Sequence, residues 1–368
     1  MNDLNIPCLT FRPKAPIRGG YDMNAGQTMR AGIVMGLFCL FFLVISWLPA
    51  RAQTSEAAQF RAFVASLWPE AQKRGVTRAT FDRAFQGVTV DENVISKTRK
   101  QPEFSKPIWE YLNSAVSRSR IETGKVKARE LEPLLARIED QTGVDRYVVL
   151  AVWGMETNFG SFTGNTPVIR ALASLAFTRY RGEFFKNELL NALEILQEGH
   201  VALADFKGSW AGAMGQTQFM PSSFKRFAVD FDRDGRKNIW SNVADALGST
   251  GNYLEKNGWV RGATWGYEVI VPNGFDFAQV NSTKPFGTFA RQGVRRADGD
   301  PMPIEPAATL VAPAGDRGPV FLLTENFKVI RRYNNALSYG LGVSLLSDRI
   351  SGAPALNTPW PNQQEALR

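Results

Sequence analysis

The stretch Tyr147–Gly160 constrains the fold of this chain most strongly, because an almost wholly apolar run ends there in one carboxylate. Val149, Val152 and Glu156 recur at helical spacing, so an α-helix would place them on one face. Asp145 stands just before the run and suits the N-cap of such a helix. The pattern predicts a buried helix with Glu156 in its last turn, at the edge of the core.

The predicted position of Glu156 favours its protonated form. Removal from water disfavours the anion, and the negative end of a helix dipole acts in the same direction. A glutamate whose pKa is raised towards neutrality is suited to act as the general acid on a glycosidic bond. The alternative interpretation is a solvated carboxylate at the rim of the core, since a perturbed carboxylate only suggests function.

The N-terminal region predicts export. Met29 and Arg30 precede the apolar run 33–48, and Ala50-Arg51-Ala52 follows it. A charged start, a short apolar segment and an A-x-A site are typical of a secretory signal peptide, with cleavage after Ala52. The run is shorter than the ~20 residues that span a bilayer, although an uncleaved anchor is the alternative. We interpret residues 1–28 as an upstream extension, with Met29 as an alternative start.

Cysteine, histidine and charge exclude several classes of protein. Cys8 and Cys39 both precede the predicted cleavage site, so the exported chain would fold without disulfides. His200 is the only histidine, which excludes a His-dependent triad and argues against a zinc site. Residues 1–52 carry a net +3 of the formal +8, and the remaining +5 fits an anionic polymer. We find no basic stripe or recognition motif for nucleic acid.

A second candidate region runs from Gly208 to Ser222 and combines small residues with uncharged polar and aromatic ones. Ser209 and Gln218 supply hydrogen-bonding groups, while Trp210 and Phe219 supply apolar faces. This mixture suits a sugar, whose hydroxyl and N-acetyl groups need hydrogen bonds and whose ring faces need apolar contacts. A glycine-rich packing turn between helices is the alternative interpretation.

A calcium-loop pattern begins at Asp230, with Gly235 at the position where such loops turn sharply. The twelfth position holds Ser241 instead of the usual glutamate, so a carboxylate from further along the chain must complete the site. An acidic turn without a metal is the alternative. The predicted ligands are the carboxylates of Asp230, Asp232, Asp234 and Asp245 and the backbone carbonyl of Arg236.

Helical periodicity dominates the chain as far as residue 258, and short strands are predicted after it, at 268–271, 309–312 and 320–324. The composition of the last residues, rich in Pro, Asn and Gln, predicts disorder. The predicted organisation is an N-terminal extension and signal peptide at 1–52, a helical domain at 53–143, a catalytic core at 144–258, a small β-containing domain at 259–326, a helix completing the core at 327–351 and a disordered tail at 352–368.

Several motifs, taken together, resemble the membrane-bound lytic murein transglycosylase B family over roughly residues 60–348. They are Gln101-Pro-Glu-Phe104, Trp153-Gly-Met-Glu156-Thr, the Ser209 and Gln218 segments, the Asp230 loop and Tyr333-Asn334. Each motif is weak alone, but their number and order are specific. The resemblance implies an α+β, mostly α fold, in which a lysozyme-like core carries a helical domain and a small β-containing domain. The predicted signal peptide places the enzyme in the periplasm.

The resemblance implies non-hydrolytic cleavage of the β-1,4 bond between N-acetylmuramic acid and N-acetylglucosamine. Glu156 would protonate the leaving oxygen and then, as a carboxylate, accept the proton of the muramic 6-hydroxyl as a 1,6-anhydro ring closes. The chemistry needs no cofactor, and a structural Ca²⁺ is the only metal expected. One alternative is a hydrolase that uses Glu183 or Glu188 as a second carboxylate. The other is a non-catalytic glycan-binding protein.

The implied partners are peptidoglycan glycan strands, and complexes with other cell-wall enzymes are a further expectation. No oligomeric state is predicted, and no nucleic-acid partner. The family's membrane attachment is not carried over, because Cys39 lacks the small preceding residues of a lipoprotein signal. Arg181 is expected to contact a peptide or lactyl carboxylate of the substrate. The implied substrate-binding residues are Ser209, Gln218, Tyr333, Asn334, Arg181 and Tyr111.

Overall fold

The computed structural model describes residues 48–99 and 107–361, with side-chain surroundings from residue 55 onward. The predicted signal peptide before residue 48 and the Gln101–Phe104 motif lie outside the described residues. Within the described part, no helix is both long and apolar enough to cross a bilayer. The helices are α1 (Leu48–Lys73), α2 (Arg78–Phe85), α3 (Glu92–Arg99), α4 (Ile108–Ala115), α5 (Arg118–Glu130), α6 (Glu132–Thr142), α7 (Arg146–Thr157), α8 (Val168–Phe177), α9 (Phe184–Glu198), α10 (Pro221–Phe227), α11 (Val243–Lys256), α12 (Phe286–Arg291), α13 (Glu325–Tyr333) and α14 (Leu337–Ser351).

A five-stranded antiparallel sheet follows the helical region, with the strand order Thr283–Pro285, Ala307–Val311, Val320–Leu323, Gly266–Ile270, Arg295–Arg296. Its second, third and fourth strands lie close to the three predicted from sequence. Its register sets Leu310 opposite Leu322, and both are buried against Phe289 of α12. The fold is therefore mostly helical with a small sheet, as predicted, and the domain boundaries stay a proposal. The strands are β1 (Thr166–Pro167), β2 (Lys207–Gly208), β3 (Gly266–Ile270), β4 (Thr283–Pro285), β5 (Arg295–Arg296), β6 (Ala307–Val311) and β7 (Val320–Leu323), of which β1 and β2 form a separate pair.

The first large hydrophobic cluster joins α1–α3 to α8–α10. Phe60 and Leu67 recur at helical spacing along α1, and both are buried there. Thr77 caps α2, because its side chain accepts a hydrogen bond from the backbone N–H of Thr80. Leu172 of α8 and Leu189 of α9 are fully buried where these two helices pack. This cluster supports the loops on one side of Glu156.

The second hydrophobic cluster surrounds α7. The C-terminal helix α14 packs against α7 and runs antiparallel to it. At one end Tyr339 of α14 bonds to Glu156, and at the other the charge of Asp145 acts on Asp348. Gly342 permits this close approach, because a Cβ there would lie 3.0 Å from Cε of Met155. The carboxyl end of α7 is therefore held by a segment from the far end of the chain.

The predicted disordered tail is wrong for residues 352–361. Trp360 is only 5% exposed and lies with its ring centroid 6.4 Å from that of Trp109 and 6.5 Å from that of Phe321. The backbone N–H groups of Asn357 and Thr358 donate to the carboxylate of Glu268. Disorder was predicted because most residues of the segment are polar or proline. A composition average gives little weight to the single buried tryptophan that anchors the segment.

Candidate active site

Local capping fixes both ends of α7, as the sequence predicts. The side chain of Asp145 accepts hydrogen bonds from the backbone N–H groups of Tyr147 and Val148, at 2.7 and 3.3 Å. The helix ends where Asn158 adopts the left-handed conformation, with φ of 49°. Glu156 therefore lies in the last turn, after a run of buried residues.

Glu156 is half-buried, and its Oε1 accepts a 2.6 Å hydrogen bond from the hydroxyl of Tyr339. Burial raises the pKa of Glu156 to about 7, and the hydrogen bond from Tyr339 opposes part of this rise. The prediction of a raised pKa is confirmed, with burial as its cause. At neutral pH the carboxyl group is available both as a proton donor and, once ionised, as an acceptor.

Tyr339 was missed by the sequence analysis. It lies 183 residues after Glu156, in the region that was predicted only as the helix completing the core. No motif around it indicates a polar partner for a carboxylate. It is the third residue of α14, a helix that begins shortly after Asn334, whose side chain accepts a hydrogen bond from Ala336 N at 3.1 Å.

Two tyrosines, Tyr333 and Tyr253, lie close enough to Glu156 for its charge to affect their pKa values. The Tyr333 hydroxyl donates to the backbone carbonyl of Thr217 at 2.8 Å, and its ring centroid lies 4.7 Å from that of Tyr253. Burial, and after it the charge of Glu156, raises the pKa of Tyr333; burial is the main cause that raises the pKa of Tyr253 to about 12. Both phenols therefore stay protonated. Of the two, Tyr333 was predicted, and Tyr253 was missed.

The side chains of Ser209 and Gln218 shape the polar loop in which they lie. The Ser209 hydroxyl accepts hydrogen bonds from Ala211 N and Ala213 N at 3.3 and 3.1 Å. Nε2 of Gln218 donates to the backbone carbonyl of Thr163 at 3.1 Å, from a residue with φ of 51°. The loop is thus a packed turn, as one interpretation held, and the sugar-binding roles of these residues stay predictions.

Gln216 connects this loop to the end of α7. Its Oε1 accepts a 3.0 Å hydrogen bond from the indole of Trp153, and its backbone carbonyl accepts one from the Thr157 hydroxyl at 3.1 Å. Gly160 faces the same amide, because a Cβ at Gly160 would lie 2.7 Å from Oε1 of Gln216. The predicted sugar-binding loop is therefore fixed in position relative to Glu156.

The other two predicted substrate residues, Tyr111 and Arg181, differ in how they are connected to Glu156. Tyr111, on α4, approaches the same face of Gly342 as Met155, the residue before Glu156. Arg181 is exposed in the loop between α8 and α9, with its guanidinium 5.4 Å from the ring centroid of Tyr180. That contact does not connect Arg181 to Glu156, whereas Tyr111 reaches α14, the helix that carries Tyr339.

Three of the predicted metal ligands come together. Oxygen atoms of Asp230, Asp232 and Asp245 lie within 4.8 Å of one another, which is a donor set that suits a hard cation such as Ca²⁺. Asp245 is fully buried, and burial raises its pKa even though it accepts hydrogen bonds from Phe231 N and Asn238 N. Asp234 lies outside this group; its Oδ1 accepts a 2.8 Å bond from the backbone N–H of Arg236.

The chain is similar to known proteins over most of its length. Residues 59–348 match the family model of the transglycosylase SLT domain. The membrane-bound lytic murein transglycosylase B of Escherichia coli strain K12 is 30% identical over 278 residues, which are 71% of this chain and 73% of that protein.

Two solved structures are also similar. SltB3 from Pseudomonas aeruginosa, in complex with NAG-NAM-pentapeptide, is 42% identical with a TM-score of 0.78 over 84% of this chain and 86% of that one. An Escherichia coli lytic transglycosylase in complex with calcium is 26% identical with a TM-score of 0.68, over 80% and 93%. The chain therefore belongs to the lytic murein transglycosylase B family, whose members are peptidoglycan lytic transglycosylases with a lysozyme-like fold.

Proposed function

We propose that this enzyme cleaves the β-1,4 bond between N-acetylmuramic acid and N-acetylglucosamine, with Glu156 acting first as acid and then as base. The observation that carries the proposal is the half-buried carboxyl group of Glu156, whose pKa lies at about 7. A free glutamate would be almost wholly ionised at neutral pH and could not donate a proton efficiently. A non-catalytic glycan-binding protein would make no use of a carboxyl group that stays partly protonated at neutral pH.

In the first step, protonated Glu156 gives its proton to the glycosidic oxygen as the bond to C1 of the muramic sugar breaks. Positive charge develops at C1, as in other glycosidase transition states. The ionised carboxylate that results is stabilised by the hydroxyl of Tyr339, which donates to Oε1 at 2.6 Å. Tyr339 acts on the substrate only through Glu156, so we assign it a positioning role.

In the second step, the Glu156 carboxylate accepts the proton of the muramic 6-hydroxyl, while O6 bonds to C1. The 1,6-anhydro ring closes, no water is consumed, and Glu156 returns to its protonated form. Burial disfavours the anion and so strengthens it as a base. One residue with a pKa near neutrality can therefore serve both steps.

The surroundings of the two alternative carboxylates support a lyase over a hydrolase. Glu188 is 3% exposed, and both its oxygens accept hydrogen bonds from Ser222, from the backbone N–H and the hydroxyl. The side chain of Glu183 is 61% exposed and pairs with Arg179 and Lys186. Neither arrangement prepares a carboxylate to activate water. The raised pKa of Glu156 also has burial as its cause, and not a neighbouring carboxylate.

We propose that the substrate lies along the loop of Ser209 and Gln218 and the ring of Tyr333. The support is the network that fixes the loop to α7 and the influence of the Glu156 charge on Tyr333. Asn334, which follows Tyr333, and Tyr111, which reaches α14, are assigned to the same surface. Arg181 is kept as a contact for an anionic part of the peptidoglycan stem, because its guanidinium is exposed in solvent.

We propose that the Asp230 loop holds a structural Ca²⁺ through Asp230, Asp232 and Asp245. The convergence of three carboxylates supports this assignment, and the buried position of Asp245 ties the loop to α11. A bound cation would neutralise the mutual repulsion of these groups without taking part in bond cleavage. Asp234 and the carbonyl of Arg236 complete the predicted set.

We propose that the protein is periplasmic and that cleavage after Ala52 releases it. The charged start, short apolar run and A-x-A site support this assignment. N-terminal sequencing of the mature protein should begin at Gln53. A membrane-bound protein that retains residues 33–48 would contradict the assignment and favour the uncleaved anchor.

Mass spectrometry of muropeptides after incubation with the mature enzyme tests the proposed reaction. Lytic cleavage yields 1,6-anhydromuramic ends, which lack the mass of one water relative to hydrolytic products. We expect anhydro ends and no reducing muramic ends. Reducing muramic ends as the main product would contradict the lyase mechanism while leaving Glu156 as the acid.

A further inference from the structure

Phe162 is an exposed aromatic residue beside the active site, and the proposed reaction gives it no role. It is 67% exposed. One exposed apolar side chain is ordinary on a protein surface, so the position of this ring is what indicates a ligand. In the described part of the chain, the other exposed large apolar side chains are all aliphatic: Val126, Val260, Ile270 and Ile304.

The backbone of Phe162 is bound to the end of the catalytic helix. Its N–H donates to the carbonyl of Thr157 at 3.0 Å, and Thr157 directly follows Glu156. The N–H of Gly160 donates to the Thr157 hydroxyl at 3.1 Å, which closes the turn between them. The backbone of Phe162 is therefore hydrogen-bonded to Thr157, the residue that follows the proposed acid Glu156.

The two residues after Phe162 contact the proposed sugar-binding loop. The carbonyl of Thr163 accepts the amide of Gln218 at 3.1 Å. Gly164 lies so close to the other side that a Cβ there would be 2.2 Å from the carbonyl oxygen of Gly208 and 2.8 Å from Ser209 N. The segment that carries Phe162 thus lies between α7 and the two loop residues assigned to sugar binding, Ser209 and Gln218.

The turn before Phe162 has a fixed backbone. Asn158, Phe159 and Gly160 have φ values of 49°, 58° and 81°, a conformation that needs support from its surroundings. Phe159 supplies that support, because its 6% exposed ring packs edge-on against Trp153 with centroids 5.6 Å apart. The buried ring of Phe159 anchors the turn, so the backbone that carries the exposed ring of Phe162 is already ordered before a ligand binds.

We propose that Phe162 forms an additional glycan subsite, in which its ring stacks on the C–H face of one N-acetylhexosamine of the strand. This inference rests on the proposed function and deepens it. An aromatic face offers a flat apolar surface, and the polar side chains of Ser161 and Asn165 beside it are exposed for hydroxyl or N-acetyl groups. The subsite strengthens binding of the strand and takes no part in bond cleavage.

The first test measures binding without turnover. Glu156→Gln and the double variant Glu156→Gln/Phe162→Ala are sedimented with purified insoluble peptidoglycan. We expect the double variant to bind about tenfold more weakly, as the loss of one buried aromatic face implies. Phe162→Trp in the same background should bind like Glu156→Gln alone, and Phe162→Leu should bind like the alanine variant, because it keeps an apolar side chain but not a flat ring.

A matched control comes from the sheet region. Ile304 is an exposed apolar residue at 75% exposure, in a loop contacted by α12. Ile304→Ala should leave binding unchanged. In the active enzyme, Phe162→Ala should raise KM on long glycan strands about tenfold and leave kcat unchanged, because the ring touches the strand and not the reacting atoms.

Three results would overturn the subsite: normal binding by the alanine variant, full affinity with leucine, or an equal loss in Ile304→Ala. A lower melting temperature of Phe162→Ala would also overturn it, since an exposed platform does not stabilise the fold. The binding measurements stand apart from the reaction. If Glu156→Gln keeps its turnover, the proposed catalytic role fails, yet the KM values of Phe162→Ala and the active enzyme on long glycan strands still report on the subsite.

Discussion

The helix pair α7 and α14 carries two carboxyl groups with raised pKa values, one at each end. Glu156 has a pKa of about 7 and accepts a hydrogen bond from Tyr339, while Asp348 has a pKa of about 6 and accepts one from the indole of Trp265 at 3.0 Å. Burial is the main cause of both shifts. The pKa alone therefore does not identify the catalytic group.

The two ends differ in what surrounds each carboxyl group. Asp348 lies beside another acid, Asp145, and lines a cavity of about 240 Å³ with Trp265, whose N–H can only donate. Glu156 has a phenol that can donate or accept, and it lies next to a loop of amides and small residues. A raised pKa becomes useful for catalysis where the proton can leave and a polar substrate can approach.

The largest expected effect separates the two carboxyl groups directly. Glu156→Gln keeps the shape but cannot transfer a proton, so turnover should fall by at least ~10²–10⁴-fold. Muropeptide release measures this loss. Asp348→Asn is the matched control and should retain turnover; near-normal activity in Glu156→Gln would show that the acid has been assigned wrongly.

The next effect concerns the phenol that distinguishes the catalytic end. The Tyr339 hydrogen bond lowers the pKa of Glu156, so Tyr339→Phe should raise it further. The pH–rate profile of kcat should shift to higher pH, and kcat at neutral pH should drop by about tenfold because the carboxylate loses a stabilising donor. An unchanged profile would mean that Tyr339 does not position Glu156.

At the other end, Asp348 should affect stability and not catalysis. Its pKa is raised above that of the unfolded chain, so folding is favoured when the group is protonated and stability is lost as pH rises from about 4 to about 6. Asp348→Asn should remove this loss and stabilise the protein by about 3 kcal/mol at pH 8. Urea denaturation at pH 4 and pH 8 measures the difference; equal gains at both values would contradict the cause.

The smallest expected effect concerns Asp245, a third buried carboxyl group with a raised pKa, which belongs to the proposed calcium site. Calcium at about five times its dissociation constant should stabilise the fold by ~1 kcal/mol, visible as a higher melting temperature. Asp232→Asn should abolish the shift. Asp234→Asn should keep most of it, since Asp234 lies outside the convergent group. No shift with millimolar calcium would leave the loop an acidic turn.

Local patterns predicted α7 well because its signals are all close in sequence. The apolar run, the Asp145 cap and the turn after Glu156 act within one helix, and the structure has each of them. Tyr339 and the anchoring role of Trp360 could not be found in this way, because both depend on packing between segments far apart in the chain. The raised pKa of Glu156 was predicted, but the hydrogen bond from Tyr339 that lowers it was not.

The polar loop shows a second limit of sequence reasoning. Its composition indicated hydrogen bonding but not the partner of each group. Ser209 and Gln218 bind backbone atoms of the loop and its neighbours, whereas Gln216 forms the connection to Trp153. Small residues, amides and aromatics occur together both in packed turns and in sugar sites, so composition alone cannot separate them.

The separation of Glu156 and Tyr339 has a consequence for how activity arises during biogenesis. The pair spans 183 residues, and the whole five-stranded sheet lies between its two members. Contacts of such high sequence separation form late in folding, because a long loop must close first. A nascent chain that emerges from its N-terminus carries Glu156 long before α14 exists. Until that helix docks, Glu156 lacks the hydroxyl of Tyr339, and the core around α7 lacks the buried residues of α14.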